Sequence, residues 1–563
     1  MFLPSTRAEM NKLGWKQLDV ILVSGDSYVD SPYIGVAVVG RVLQAAGYKV
    51  GIIAQPDIHA DDIARLGEPC LFWGVSGGCI DSMVANYTAL KKRKREDDLT
   101  PGGVNDRRPD RAVIVYTNLI RQHFKDTVPI VLGGIEASLR RVAHYDFWSN
   151  KVRRSILFDA KADYLVYGMG ENTLRELARR LRAQESIEDL RGICYAAHEK
   201  RADALELPSY QIVKEDKLAF TEMFHTFYQN NDPLTAQPLA QQQDTRYLIQ
   251  NPPATYLTSK ELDAVHALPF ERAQHPFYEA QGRVKALETI KFSLATHRGC
   301  YGECNFCSIA VHQGRTVRWR SEASIVQEAR QMTRYPDFKG YIQDVGGPTA
   351  NMYGFECKKK LTSGSCTDKR CLFPQMCPSL PVNHSKQIAL LRKLRSIKEV
   401  KKVFVASGIR YDMVLADKKH GATYLQNVVR FHTSGQMKIA PEHSEEHVLH
   451  HMGKPGQKDL LRFRDLFNKM TRAVRKPQFL TYYLIAAHPG CTERDMHALR
   501  GYVSEQLKIR PEQAQIFTPT PSTYSSLMYY TGMDPFTGEK LYVEKEPRRR
   551  ERQKWILTQK SRR

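Results

Sequence analysis

Residues 295–307 read Ala295-Thr-His-Arg-Gly-Cys300-Tyr-Gly-Glu-Cys304-Asn-Phe-Cys307. An apolar run at 290–295 precedes them and reads as a buried strand. The C-x3-C-x2-C spacing therefore falls on the loop at that strand's carboxyl end. One such loop can wrap a single metal centre. A [4Fe–4S] cube is normally held by four thiolates, and three local ones leave one iron open. An open iron can chelate the amino and carboxylate groups of S-adenosylmethionine, whose reductive cleavage gives a 5′-deoxyadenosyl radical. Gly299 and Gly302 permit the tight turns of the wrap. Phe306 reads as a shield for the cluster or a neighbour of the adenine. Two other readings compete: a zinc site borrowing His312, and chance crowding of buried cysteines.

Further strands are expected at 340–345, 403–406, 436–439, 480–486 and 513–517, with helical segments such as 322–332 and 387–396 between them. Repeated strand–helix units predict a complete or partial (β/α) barrel, with chemistry at the carboxyl ends of its strands. Upstream, the runs 20–23, 50–54, 70–75, 129–132 and 164–167 alternate with helical patterns such as 34–46. They predict a Rossmann-like parallel sheet covered on both faces, with ligands at its carboxyl edge. Ser24-Gly25-Asp26, Gly133-Gly134 and Gly168-Met169-Gly170-Glu171 lie there. The stretch 205–284 is rich in Gln, Pro and Tyr and reads as a long connection with little core of its own. The expected division is an α/β chain with a Rossmann-like domain at 1–204, the connection at 205–284, a barrel at 285–535 with a cysteine-rich insert at 354–380, and a poorly ordered basic tail at 536–563. Length alone, at roughly 150 residues per domain, predicts three or four units.

The 563 residues include 83 Lys and Arg against 61 Asp and Glu, a net charge of +22. That surplus favours polyanionic partners such as RNA. Much of it sits in Lys91-Lys-Arg-Lys-Arg95 and from Arg548 to Arg563, which also suit solvated loops. Met1-Phe-Leu-Pro-Ser-Thr-Arg7 has no apolar run of signal-peptide length, and no stretch approaches the roughly 18 apolar residues of a membrane span. A cytoplasmic chain without membrane contact is expected. Seven of the 11 cysteines crowd between 300 and 377, which in such a chain points to metal rather than disulfides.

The cysteine loop resembles that of the radical S-adenosylmethionine superfamily: Arg298 and Gly299 precede it, and the aromatic Phe306 stands before the last cysteine. Arg315, Arg318, Arg320-Ser321, Ile325 and Glu328 are similar to the next loop and helix of tRNA and protein methylthiotransferases. Gln343-Asp-Val-Gly346-Gly347-Pro-Thr349 resembles the second-strand Gly-Gly-Glu element with proline in place of glutamate. The resemblance implies that Gly346 and Gly347 contact the cofactor through backbone. Ser407-Gly-Ile-Arg410 follows the third strand, Pro489-Gly-Cys-Thr492 resembles the turn after the fifth, and Ile516-Phe-Thr-Pro-Thr-Pro521 the end of the sixth. The phrases Asp344-Val-Gly-Gly-Pro-Thr-Ala-Asn-Met-Tyr353, Lys438-Ile-Ala-Pro-Glu-His443 and Ala487-His-Pro-Gly-Cys491 resemble the YgiQ family of radical S-adenosylmethionine proteins.

This resemblance implies an iron–sulfur enzyme with a [4Fe–4S] cluster on Cys300, Cys304 and Cys307. S-adenosyl-L-methionine would be the cofactor, and an external donor such as flavodoxin or ferredoxin would supply electrons. It implies no substrate and no named catalytic residue. The alternatives are a metal-stabilised RNA-binding protein and an RNA-modifying, methylthiotransferase-like enzyme.

Leu132-Gly-Gly-Ile-Glu136 and Asp163-Tyr-Leu-Val-Tyr-Gly-Met-Gly-Glu171 resemble the cobalamin-binding-like domain that precedes many radical barrels. The Asp-x-His-x-x-Gly element that carries cobalt's lower ligand is replaced by Ser24-Gly-Asp-Ser-Tyr-Val-Asp-Ser31, so base-off cobalamin binding stands against a substrate-binding or purely structural role. A second group, Cys357, Cys366, Cys371 and Cys377, has irregular spacing and suits structural zinc, an auxiliary cluster or unligated thiols. His443, His447, His450 and His451 lack an H-E-x-x-H arrangement, so a surface or core role is expected for them.

Overall fold

The run Val20–Ser24 forms a fully buried strand with parallel neighbours on both sides, Val50–Ala54 and Phe72–Ser76. Phe72–Ser76 pairs with Ile130–Gly133, and that with Tyr164–Val166, all in parallel. These unbroken apolar strands need cover on both faces, which helices such as Gly35–Ala45 and Ala112–His123 supply. In the computed structural model, which describes residues 1–511 and 513–559, the chain divides into two units. One holds Met1–Tyr256 with Ala264–Lys291, the other Leu257–Asp263 with Phe292–Arg563. The three or four units expected from length reduce to two because the supposed connection builds into the first sheet.

Residues 205–284 do have a core. Leu205–Leu207, Leu239–Gln243 and Arg246–Gln250 extend the sheet to nine strands, joined through the antiparallel Ile193–Ala197. The polar sequence Gln241-Gln-Gln243 concealed this because two of its amides turn inward: Gln241 Oε1 accepts from Ala143 N–H and Gln243 Oε1 from Ser155 N–H, while Gln242 is exposed. The helix Lys217–Gln229 buries Phe220, Met223, Phe224, Phe227 and Tyr228. Phe227 and Tyr167 sandwich the guanidinium of Arg141, each ring centroid 4.4 Å away. Arg141 has no exposed surface and is held by neutral acceptors: Ser138 O at 2.6 Å, Asn231 Oδ1 at 2.9 Å and Gln250 Oε1 at 3.0 Å.

In the second unit strands occupy six positions in sequence order, the second position being split into Tyr341–Ile342 and Asp344–Gly346. Ser293–Ala295 pairs in parallel with Asp344–Gly346, and Tyr341–Ile342 with Lys402–Val403. Ile409 bridges to Ile439, Gln436–Glu442 pairs with Phe479–Ala486, and that strand with Gln515–Ile516. The helices Glu322–Met332, Ser385–Arg395, Lys458–Val474 and Glu493–Glu505 alternate with them around a core that includes Leu294, Val345, Leu391, Phe463 and Met496. This is a partial (β/α)6 barrel. Arg320 staples its first step: it donates to Ala295 O at 2.9 Å and to buried Glu328 at 2.5 Å, while Ser321 caps the following helix. The Arg320-Ser321 and Glu328 landmarks thus have a structural use.

The basic tail is corrected. Pro547–Thr558 forms a helix that buries Arg550, Gln553, Ile556 and Leu557; residues 560–563 lie outside the described residues. Among the described residues no helix is long and apolar enough to cross a membrane.

Candidate metal centre

The loop after Ser293–Ala295 turns at Gly299, whose φ of +81° places a hypothetical Cβ 2.6 Å from Thr316 O, so only glycine fits. It brings Cys300 and Cys304 to Gly302: a Cβ there would lie 3.2 Å from Cys300 Sγ and 3.6 Å from Cys304 Sγ. Gly302 N–H points at Cys300 Sγ, 3.3 Å away. Cys307 closes the loop by donating its N–H to Cys304 O at 3.0 Å. Burial, followed by the field of Cys304, pushes the Cys307 thiol up to about 12, and Cys300 shifts the same way. Without metal these two positions hold protonated thiols, and assembly of a metal centre must displace their protons.

Several contacts fix the loop backbone. Glu303 adopts a positive φ of 47° and pairs with buried Arg315 at 3.1 Å. Arg370 donates to Glu303 O at 3.1 Å and Asn305 Oδ1 at 2.6 Å. Asn305 is bound again from the helix Glu446–Met452, with its N–H on Met452 O at 2.9 Å and Nδ2 on His451 O at 2.8 Å. Phe306 meets the ring of His488 edge-on at 6.4 Å, and His488 meets Phe517 at 5.1 Å. Residues from the ends of the first, fifth and sixth strands therefore adjoin one another.

Gly346 and Gly347 sit at the end of the second strand. Gly346 O accepts from Thr296 N–H at 2.7 Å. A Cβ on Gly346 would lie 2.9 Å from Ser407 Oγ, and one on Gly347 2.7 Å from the ring of buried His297. Burial lowers the pKa of His297 to about 4, so the ring is neutral. Gly347→Ala forces that ring off its seat and is expected to destabilise the protein by about 1–3 kcal/mol in chemical denaturation. A variant as stable as wild type would show that His297 can yield.

Two residues quoted in the sequence phrases were given no role there: Arg410, whose contact with Cys304 spans 106 positions, and Glu442. Arg410, 8% exposed, aims Nη1 at Cys304 Sγ from 3.8 Å. Its Nε and Nη2 are held by Asp412 at 2.9 and 2.5 Å. Burial opposes ionisation of Asp412, but the guanidinium outweighs it and keeps the carboxyl below its usual range. Glu442 ends the fourth strand with a left-handed φ of 70°, is buried and stands 3.7 Å from Lys454. Strand-end position was the available signal for both.

The second cysteine group packs as a strap. Cys357, Cys371 and Cys377 share an apolar cluster with Tyr301 and Leu372, while Cys366 is outside it. Lys360 from the same insert donates to Arg315 O at 2.7 Å. Among the described residues, the one trio of metal-ligating side chains whose ligand atoms all lie within 4.8 Å is Glu445, His447 and Asp495. His447 and His451 diverge, each meeting a carboxylate at 3.4 Å, Asp495 and Asp534 respectively.

The Radical SAM N-terminal family matches residues 2–293. UPF0313 protein FN0734 of Fusobacterium nucleatum is 57% identical over 99% of both chains. A UPF0313 protein of Thermotoga neapolitana is 50% identical over 98% of both. Among solved structures, the cobalamin-dependent S-adenosylmethionine radical enzyme OxsB is similar in fold, with a TM-score of 0.51 at 13% identity. The match covers 93% of this chain and 57% of that one.

Proposed function

This chain belongs to the UPF0313 family of radical SAM proteins, and we propose that it is an enzyme that binds a [4Fe–4S] cluster on Cys300, Cys304 and Cys307 and cleaves S-adenosylmethionine reductively. One observation carries the assignment: a single pinned loop at the carboxyl end of the first barrel strand carries all three cysteines, with the sulfurs of Cys300 and Cys304 side by side at Gly302 and Cys307 bonded back to Cys304 O. The donor set fits, since three thiolates leave one iron of a cube for the cofactor. When bound, the cluster supplies the electron that breaks the sulfonium bond and yields a 5′-deoxyadenosyl radical.

The chain's own residues prepare the place. Glu303 with Arg315, and Asn305 with Met452, fix the loop. Phe306, His488 and Phe517 are linked by edge-on ring contacts and would shield the bound cluster from water. Gly346 and Gly347, whose side-chain positions are taken by Ser407 and His297, would meet the cofactor through backbone alone. An external one-electron donor such as flavodoxin or ferredoxin serves the cluster.

The test is anaerobic reconstitution of the wild type followed by dithionite, S-adenosylmethionine and an assay for 5′-deoxyadenosine. A brown protein that forms it is expected. A zinc-loaded protein that forms none after reconstitution would defeat the reading.

The charge of +22 supports a polyanionic substrate, with RNA the first class to examine. A deletion strain should then show an altered modified-nucleoside profile, and an unchanged profile counts against RNA.

Cobalamin, on which OxsB depends, does not fit the first unit. The strand ends where a ligand would enter are occupied by the chain itself. A Cβ on Gly25 would lie 2.2 Å from Gly77 O, and one on Gly78 2.2 Å from Asp26 Oδ1. Arg108, without exposed surface, ties Asp26 at 2.5 Å and Asp97 at 2.9 Å. Glu136 Oε2 accepts from Ser82 N–H at 2.8 Å and its Oε1 from Val113 N–H at 3.3 Å. Titrating the protein into hydroxocobalamin is expected to leave the visible spectrum unchanged; saturable shifts at stoichiometric ratios would refute this.

A further inference from the structure

Arg410 is tethered more firmly than a residue filling space requires. Its backbone N–H donates to Asn351 Oδ1 at 2.8 Å, and Asn351 Nδ2 returns a bond to Arg410 O at 3.0 Å. Asp412 takes two of the guanidinium donors, which leaves Nη1 directed at Cys304 Sγ. The same Nη1 lies 3.3 Å from where a Cβ on Gly302 would stand, so it faces the place where the sulfurs of Cys300 and Cys304 meet.

We propose that Arg410, oriented by Asp412, raises the reduction potential of the cluster through the sulfur of Cys304. The inference rests on the assignment of Cys304 as a cluster ligand. Reduction adds one negative charge to the cluster. A fixed cation at a ligand sulfur, out of bulk water, stabilises that charge more than the oxidised form. Hydrogen bonds to cluster sulfurs are one of the means by which a protein sets these potentials. Asp412 does not cancel the effect, because it grips the far edge of the guanidinium and leaves the Nη1 edge toward the thiol. Arg410 acts through Cys304 and is a positioning and tuning residue.

The test is an EPR-monitored redox titration of reconstituted protein, with iron and sulfide quantified and S-adenosylmethionine omitted so that cofactor contacts cannot contribute. Arg410→Gln alone would strand a buried carboxylate, so it is paired with Asp412→Asn. The double variant is expected to keep wild-type iron content, while its reduction equilibrium falls at least tenfold, about 59 mV for a one-electron couple. Arg410→Lys, which keeps the charge, is expected to retain more than half of that shift and carries the test if the double variant does not load.

Equal midpoints in loaded wild type and double variant, or an Arg410→Lys midpoint no higher than that of a loaded Arg410→Gln, overturn the proposal alone. A wild type that loads no reducible cluster, or a Cys300/Cys304/Cys307→Ala variant that still cleaves S-adenosylmethionine, overturns the ligand assignment beneath it.

Discussion

Changing Cys300, Cys304 and Cys307 together to alanine yields a colourless protein that forms no 5′-deoxyadenosine above background, a loss of at least about a thousandfold. The loss is chemical rather than conformational. The loop is held by Glu303 on Arg315, by Arg370 on Asn305 and by Asn305 on Met452, none of which uses a cysteine side chain. The variant should therefore keep the wild-type circular dichroism and unfold close to the wild-type midpoint. Iron analysis gives the sharper readout. Iron retained in the variant would assign a second centre to the insert with Cys357, Cys371 and Cys377. Wild-type cleavage by the variant would end the assignment of the cluster to this loop.

The second large effect concerns stability in the first unit. Arg141→Leu is expected to cost about 3–5 kcal/mol, because it withdraws a donor from each of three buried acceptors and leaves the gap between two aromatic rings poorly filled. Those acceptors are Ser138 O, Asn231 Oδ1 and Gln250 Oε1, and the rings belong to Tyr167 and Phe227. Arg141 links Ser138, at the end of the helix Gly134–Ser138, to the strand Arg246–Gln250, so its loss should loosen the late strands from the early sheet. Differential scanning calorimetry should show the corresponding transition lower by on the order of 10 °C. A drop below 2 °C, or roughly 1 kcal/mol, would mean that the surrounding residues re-pair without the guanidinium.

The position and turns of the cysteine loop were legible because their signal is local: three thiols and two glycines at fixed spacing after an apolar run. The parallel sheet was legible for a similar reason, since Val20–Ser24 and Val50–Ala54 are continuous apolar strands. What stayed hidden depends on partners far away in the chain. Gln241 and Gln243 read as surface polarity, but their amides are spent on backbone N–H groups of Ala143 and Ser155. The tail reads as a solvated charge run because four of its basic side chains in the helix region hide the pattern of Arg550, Gln553, Ile556 and Leu557, the residues it buries. Arg410 stood in a recognisable phrase, yet nothing in Ser407-Gly-Ile-Arg410 indicates that its guanidinium reaches a cysteine 106 positions earlier.

The helix Pro547–Thr558 bears on the order in which a growing chain acquires its parts. Gln553 accepts from Ala487 N–H at 2.9 Å and donates to Cys491 O at 3.2 Å, while Arg550 donates to Phe517 O at 2.5 Å. The ends of the fifth and sixth strands are thus fastened by residues synthesised later than either strand. A ribosome that has delivered Cys300, Cys304 and Cys307 must still add more than two hundred residues before that fastening can form. The fastening of these two strand ends thus comes late in synthesis, well after the cysteine loop has been made.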